Sequence, residues 1–133
     1  PADWRARIAP TEIDSWRGRL LQGEVHDENA ALLGGVAPHA GLFGTAEAVG
    51  RFAQSVLASL RAPTWLAAPD LMRVWVASRP IPGSSRALGW DTMRPTSSCG
   101  TRLSPRAFGH TGFTGTSLWI DPDQDLYVVL LSN

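Results

Sequence analysis

Gly109-His110-Thr111-Gly112-Phe113-Thr114-Gly115-Thr116, running on into Ser117-Leu118-Trp119-Ile120-Asp121, decides how this chain is read. It predicts a short extended segment, a glycine-punctuated bend and then a strand over 116–120. Gly112 and Gly115 permit backbone angles that a Cβ resists, and both let a ligand approach the main chain closely. His110 and the threonines set donors and acceptors beside that backbone. A strand edge with small residues, backbone N–H groups and one titratable ring suits recognition of a carbonyl or a carboxylate. A tight β-turn carrying a surface histidine fits the same residues.

Downstream, Asp121-Pro122-Asp123-Gln124-Asp125 is a turn by composition. Leu126 to Leu131 is a continuous apolar run, which predicts a central strand buried on both faces. The last two strands pair most simply as an antiparallel hairpin. Upstream, Arg94 to Pro105 is polar and loop-like, Ala87 to Met93 predicts a strand, and Pro80 and Pro82 force a loop. The strongest helical pattern covers 45–60. Thr45 suits its N-cap, Glu47 complements the first turn, and Val49, Phe52, Ala53, Val56, Leu57 and Leu60 repeat at helical spacing, with Pro63 preventing continuation. A shorter helix starts at Pro69 and runs through Leu71, Met72, Trp75 and Val76.

Before the long helix, Val36 to Gly44 is glycine-rich and apolar and predicts a buried loop. Asp27 is placed to cap one or two helical turns that end at Gly34 and Gly35. Trp16 to Val25 suits a short strand or extended arm, Thr11 to Asp14 a short turn, and Pro1 to Pro10 little regular structure. Helices come first and strands afterwards. The fold class is therefore α+β, with helices packed against an antiparallel sheet.

A length of 133 residues predicts one domain with a real core. With 44% hydrophobic and 18% charged residues the composition is that of an ordinary soluble globular domain. The net charge of +0 gives no reason to expect a nucleic-acid or anionic-membrane partner. All 12 basic residues are Arg, so no lysine chemistry can come from within this stretch. Cys99 stands alone, without the partners of a disulfide or a zinc site. No apolar run reaches transmembrane length, and the first residues lack a signal-peptide pattern. Because the sequence stops directly after an apolar strand, it reads as a piece of something longer.

His26, Asp27, Glu28 and His39 are potential metal ligands close in sequence, but no pair matches a zinc pattern, so no metal is expected. Their expected role is a capped turn that holds a loop, with His39 as a hydrogen-bonded core histidine. No serine sits in a Gly-x-Ser-x-Gly elbow, and Ser-x-x-Lys cannot occur without lysine. Ser84, Ser85, Ser97 and Ser98 fall in loop composition. Of six Trp, Trp65, Trp75 and Trp119 fall in expected core elements; Trp90 suits a cleft wall, with the core as default. These residues make no complete catalytic set and one candidate binding edge.

Two blocks together resemble a known family. His110-Thr111-Gly112, set in Gly109 to Thr116 and followed by Trp119-Ile120-Asp121-Pro122 and Val128-Val129-Leu130-Leu131-Ser132-Asn133, resembles the third motif of the serine β-lactamase-like hydrolases. That superfamily includes class C β-lactamases, DD-peptidases and esterases, and its Lys-Thr-Gly motif has a His-Thr-Gly variant. Val25-His26-Asp27-Glu28-Asn29-Ala30, Gly34-Gly35-Val36 and His39-Ala40-Gly41-Leu42-Phe43-Gly44-Thr45-Ala46 are similar to an upstream block of the same family. The likeness runs from about Trp16 onward.

The resemblance implies a partial β-lactamase/transpeptidase-like fold and acyl transfer, in which a lysine-activated serine attacks an ester or amide carbonyl and a tyrosine relays protons. It implies that the third-motif strand lines the acyl-enzyme cleft. The N–H of Phe113 would be one oxyanion donor; His110 and Thr111 would contact the substrate's carboxylate or polar groups, with Gly112 and Thr114 on the same wall. The family's Ser-x-x-Lys and Tyr-x-Asn motifs lie N-terminal to this block, and Tyr127 is in the last strand, out of place for the relay. Residues 1–133 are thus expected to be one region, the C-terminal part of a serine hydrolase domain, inactive without the segment carrying the nucleophile. His in place of Lys removes a charge fixed at neutral pH, which leans toward an esterase or peptidase. The expected partners are an ester or amide substrate, small molecule or peptide, and that N-terminal segment. No cofactor and no nucleic acid are expected, and localisation is unassigned, since family members are often exported. The alternatives are a non-catalytic module that binds peptide or cell-wall fragments, and a likeness of architecture alone. Alone, the stretch is expected to leave its sheet edge and the apolar face of the 45–60 helix uncovered, and so to associate.

Overall fold

A computed structural model describes residues 4–79 and 81–133, and these form two compact units. The first comprises the residues up to Thr45 together with Ser132 and Asn133; the second is Ala46–Leu131.

The first unit opens with α1 (Trp4–Arg7), a single helical turn within a stretch expected to have little regular structure. Contacts distant in sequence stabilise it. The Gln22 side-chain amide donates to the Ile8 carbonyl at 2.8 Å, and Gly23 lies so close that a Cβ there would meet Arg5 Cγ at 2.9 Å. β1 (Ile13–Asp14) and β2 (Arg19–Leu20) pair antiparallel. Thr11 and Glu12 extend that ladder to Leu21, so Thr11–Asp14 is itself extended and opens a turn at its end. That turn lies between the strands, where Gly18 takes φ +64° and Asp14 accepts from the Arg17 N–H at 2.6 Å. α2 (Glu28–Leu32) has the expected cap, with the Asp27 carboxylate accepting from the Ala30 N–H at 2.8 Å. It ends at Gly34 and Gly35, both at positive φ.

The loop from Val36 to Gly44 is not buried as expected: Val36 and Leu42 are 86% and 102% exposed. Gly41 takes the inner position, where a Cβ would meet the Gly35 carbonyl at 3.0 Å. The backbone, rather than the apolar side chains, is what packs there.

In the second unit α3 (Ala46–Ser59) and α4 (Pro69–Val76) match the expected helices to within a residue or two. A four-stranded antiparallel sheet follows in the order β3 (Asp91–Thr92), β4 (Phe108–Thr111), β5 (Ser117–Asp121) and β6 (Leu126–Leu130). Helices on an antiparallel sheet give the expected α+β class. α3 lies on β5 and β6, and Gly50 permits this approach, since a Cβ there would meet the Tyr127 ring at 3.0 Å. Ala53, Val56 and Leu57 of α3, Met72 of α4, Phe108 and Ile120 form the core. The apolar face of α3 is thus covered by the sheet, contrary to expectation.

Three further expectations are corrected. Among the described residues β6 is an edge strand, not a central one: Tyr127 and Val129 are half-buried while Leu126, Val128 and Leu130 are exposed. The strand expected over 87–93 shrinks to Asp91–Thr92, because Gly89 takes φ +79° and the Ala87 N–H closes a turn onto the Trp90 carbonyl at 2.8 Å. Of the tryptophans expected in the core, Trp119 is buried, but Trp65 is 79% exposed and Trp75 is exposed. Trp90 is half-buried, stacked on Phe52 and edge-on to Phe108 at 5.1 Å. Pro82 lies in a turn as expected, and Pro80 and Pro1 to Asp3 lie outside the described residues.

Candidate active-site strand end

β4 is pinned between β3 and β5, with Gly109 opposite both Asp91 and Trp119. Glycine is required there, because a Cβ would collide with the Leu118 carbonyl oxygen and meet the Trp119 ring at 2.5 Å. That contact lets the indole lie over the strand and fixes the backbone from which His110 and Thr111 project. These two pair with Leu118 and Ser117 and are exposed.

The bend beyond β4 is closed by its own backbone. The Gly112 N–H donates to the Thr116 carbonyl at 2.7 Å, and the Gly115 N–H to the Gly112 carbonyl at 3.1 Å, with Gly115 at φ +89°. A Cβ on Gly112 would run into the Thr116 hydroxyl. The Phe113 side chain is 96% exposed and Thr114 is half-buried. His110, Thr111, Gly112, Phe113 and Thr114 thus lie on one short strand end and tight bend. Tyr127 packs its ring against α3, where its hydroxyl accepts from Gln54 at 3.2 Å.

Sequence reasoning missed Arg86, 24 residues before His110. Its guanidinium lies 2.7 Å from His110 Nε2, while His110 Nδ1 lies 2.7 Å from the Thr111 carbonyl oxygen. The loop that carries Arg86 is tied down on several sides. The Thr92 N–H and hydroxyl donate to the Ser85 carbonyl at 2.9 and 2.6 Å, and the Leu88 N–H reaches the Trp75 carbonyl of α4 at 3.0 Å. Trp90, in the same loop, packs on Phe108. No local motif announces Arg86; only the β3–β4 pairing brings it to His110. A polar cavity of about 310 Å³ opens beside β3, lined by Ser85, Asp91, Arg94 and Ser97 among others.

The sequence-adjacent histidines go elsewhere. His26 pairs with Glu12 at 2.6 Å, and His39 with Asp27 at 3.0 Å. His39 is hydrogen-bonded as expected but exposed rather than in the core, because Asp27 sits at the helix start near the surface. The Ala30 N–H first, and His39 next, hold the Asp27 carboxyl below the usual carboxylate range. Glu12, Asp14 and His26 bring ligand atoms within 4.8 Å of one another. Arg17 pairs with Asp14 at 3.3 Å and donates to the Val25 carbonyl at 2.8 Å.

The family model described as Beta-lactamase matches residues 2–133. A protein of Escherichia coli K12 named "Putative D-alanyl-D-alanine carboxypeptidase" is 36% identical over 124 residues, covering 88% of this chain and 28% of its own length. A protein of the same name from Salmonella gallinarum is 34% identical over 123 residues, with the same coverage. An N-acetylmuramyl-L-alanine amidase of Bacillus subtilis 168 is 38% identical over 125 residues, or 88% of this chain and 27% of that protein. The chain spans little more than a quarter of the length of these curated relatives. The match over nearly all of its residues settles the family: the chain belongs to the β-lactamase family.

Proposed function

We propose that this chain is the C-terminal part of a serine hydrolase that cleaves an ester or amide through an acyl-enzyme, and that residues 110–114 form one wall of its substrate cleft. A segment N-terminal to the chain supplies the nucleophilic serine and its lysine, and the chain alone is inactive. The observation that carries this reading is the exposed His110-Thr111-Gly112 strand end, held in one geometry by the Gly109–Trp119 contact and the closed bend. Backbone donors fixed before the substrate arrives need no reorganisation as charge develops on the carbonyl oxygen, which is where acyl transfer gains most.

In this reading the Phe113 N–H donates to the oxyanion while its side chain plays no part. Thr111 and Thr114 offer hydroxyls to the substrate's polar groups, and Gly112 keeps the wall clear of a Cβ. The names of the relatives favour a cell-wall peptide amide over a simple ester. The test is a fluorescent phosphonate or penicillin probe applied to the longer protein, with peptide mapping of the adduct. Labelling of a serine upstream of Pro1, slowed about tenfold or more by His110→Ala, is expected. A folded protein that takes no label would overturn the reading in favour of a peptide-binding module.

A further inference from the structure

We infer that Arg86 is a positioning residue that holds His110 in a single tautomer, with the proton on Nδ1 and the lone pair on Nε2. Guanidinium has only N–H donors and no acceptor, so the 2.7 Å contact with Nε2 requires Nε2 to be the acceptor. The carbonyl oxygen of Thr111 can only accept, so the 2.7 Å contact at Nδ1 requires an N–H there. The two hydrogen bonds allow one assignment between them. An Nε2–H tautomer would set N–H against N–H on one side and a lone pair against a carbonyl oxygen on the other. Each nitrogen's role is fixed by what the other meets.

Arg86 itself is supplied by a braced loop: Ser85 is held by Thr92, Leu88 by Trp75, and Trp90 by the core. The pair therefore has two consequences at the strand end. The imidazole ring is locked in orientation, and neither of its nitrogens is left as a donor to an incoming group. A permanent positive charge is placed beside a motif that has no lysine, and it comes from a residue far away in sequence. The catalytic weight of this pair rests on the hydrolase reading proposed above; the tautomer itself does not.

The experiment uses the longer protein with ¹⁵N-histidine labelling. Long-range ¹H–¹⁵N correlation distinguishes the protonated from the unprotonated ring nitrogen, and His110→Gln identifies the signal. His110 is expected as the Nδ1–H form in the wild type. In Arg86→Ala the exposed ring is free to turn away from the Thr111 carbonyl, so a mixture with the Nε2–H form is expected. In Arg86→Lys, which keeps a cationic donor, the Nδ1–H form is expected again. Thermal melting followed by circular dichroism confirms that each variant is folded. An Nε2–H form in the wild type, or an unchanged signal in folded Arg86→Ala, would overturn the inference. Acylation by the phosphonate probe is measured in parallel, with about a tenfold loss expected in Arg86→Ala and recovery in Arg86→Lys. Failure of the probe to label any variant would count against the hydrolase reading alone, because the tautomer signal needs no turnover.

Discussion

Gly109 shows how one residue can set a site it does not itself belong to. Its missing side chain admits the Trp119 ring and the Leu118 carbonyl, and so decides where His110 sits. Gly109→Ala is expected to cost about 3 kcal/mol or more, since the obstruction is backbone and a packed indole rather than a flexible side chain. A lowered denaturant midpoint at unchanged slope would confirm this, and an unchanged midpoint would refute it. Asp121 is the opposite case, a buried charge that the fold is built around. Burial pushes its carboxyl up, but hydrogen bonds from the Ser104 hydroxyl and N–H and from Gln124 outweigh that and leave it below the usual carboxylate range. A carboxyl lowered in the folded state contributes stability that is complete above its unfolded value, near 3.9, and is lost as pH falls through the folded value. Asp121→Asn is therefore expected to lose about 2 kcal/mol near neutral pH, with the gap to wild type closing below about pH 4. A gap independent of pH down to acid unfolding would show that the charge is not what matters.

At the scale of elements, β6 separates burial from hydrophobicity. Its alternation of half-buried Tyr127 and Val129 with exposed Leu126, Val128 and Leu130 follows from having α3 on one face only. Val128→Lys is expected to change stability by less than about 0.5 kcal/mol, whereas Phe108→Ala in the core is expected to cost about 3–5 kcal/mol. Equal losses in chemical unfolding would mean that β6 is buried on both faces after all. α3 and α4 were legible because caps, period and prolines act within a few residues. The β5–β6 hairpin was legible because a polar turn separates two apolar runs. An apolar run does not say whether it lies at the centre or the edge of a sheet, and here it lies at the edge of the described sheet. Gly89 broke the strand expected over 87–93 by adopting a backbone angle that composition does not reveal. The bend at 112–115 was legible from its glycines. Arg86 was not, since a loop and a strand pairing bring it to His110, and neither leaves a mark in the local sequence.

At the scale of the whole chain, the surface and the net charge point the same way. Apolar side chains are exposed in both units: Ile13, Leu32, Val36 and Leu42 in the first, Trp65, Phe113, Val128 and Leu130 in the second. Scattered apolar residues are normal on a surface, but β6 adds an edge strand with three exposed aliphatic residues and no charge or proline to block pairing. A net charge of +0 supplies no long-range repulsion between copies. Expressed by themselves, residues 1–133 are therefore expected to self-associate. In light-scattering chromatography the apparent mass should rise with loading concentration. Leu126→Lys combined with Val128→Lys should lower it, because both changes charge the exposed face of the edge strand without touching Tyr127. A sharp monomer peak at every concentration would refute the expectation. Association that the double variant does not reduce would place the contact away from β6, at other exposed apolar residues such as Leu42, Trp65 or Phe113.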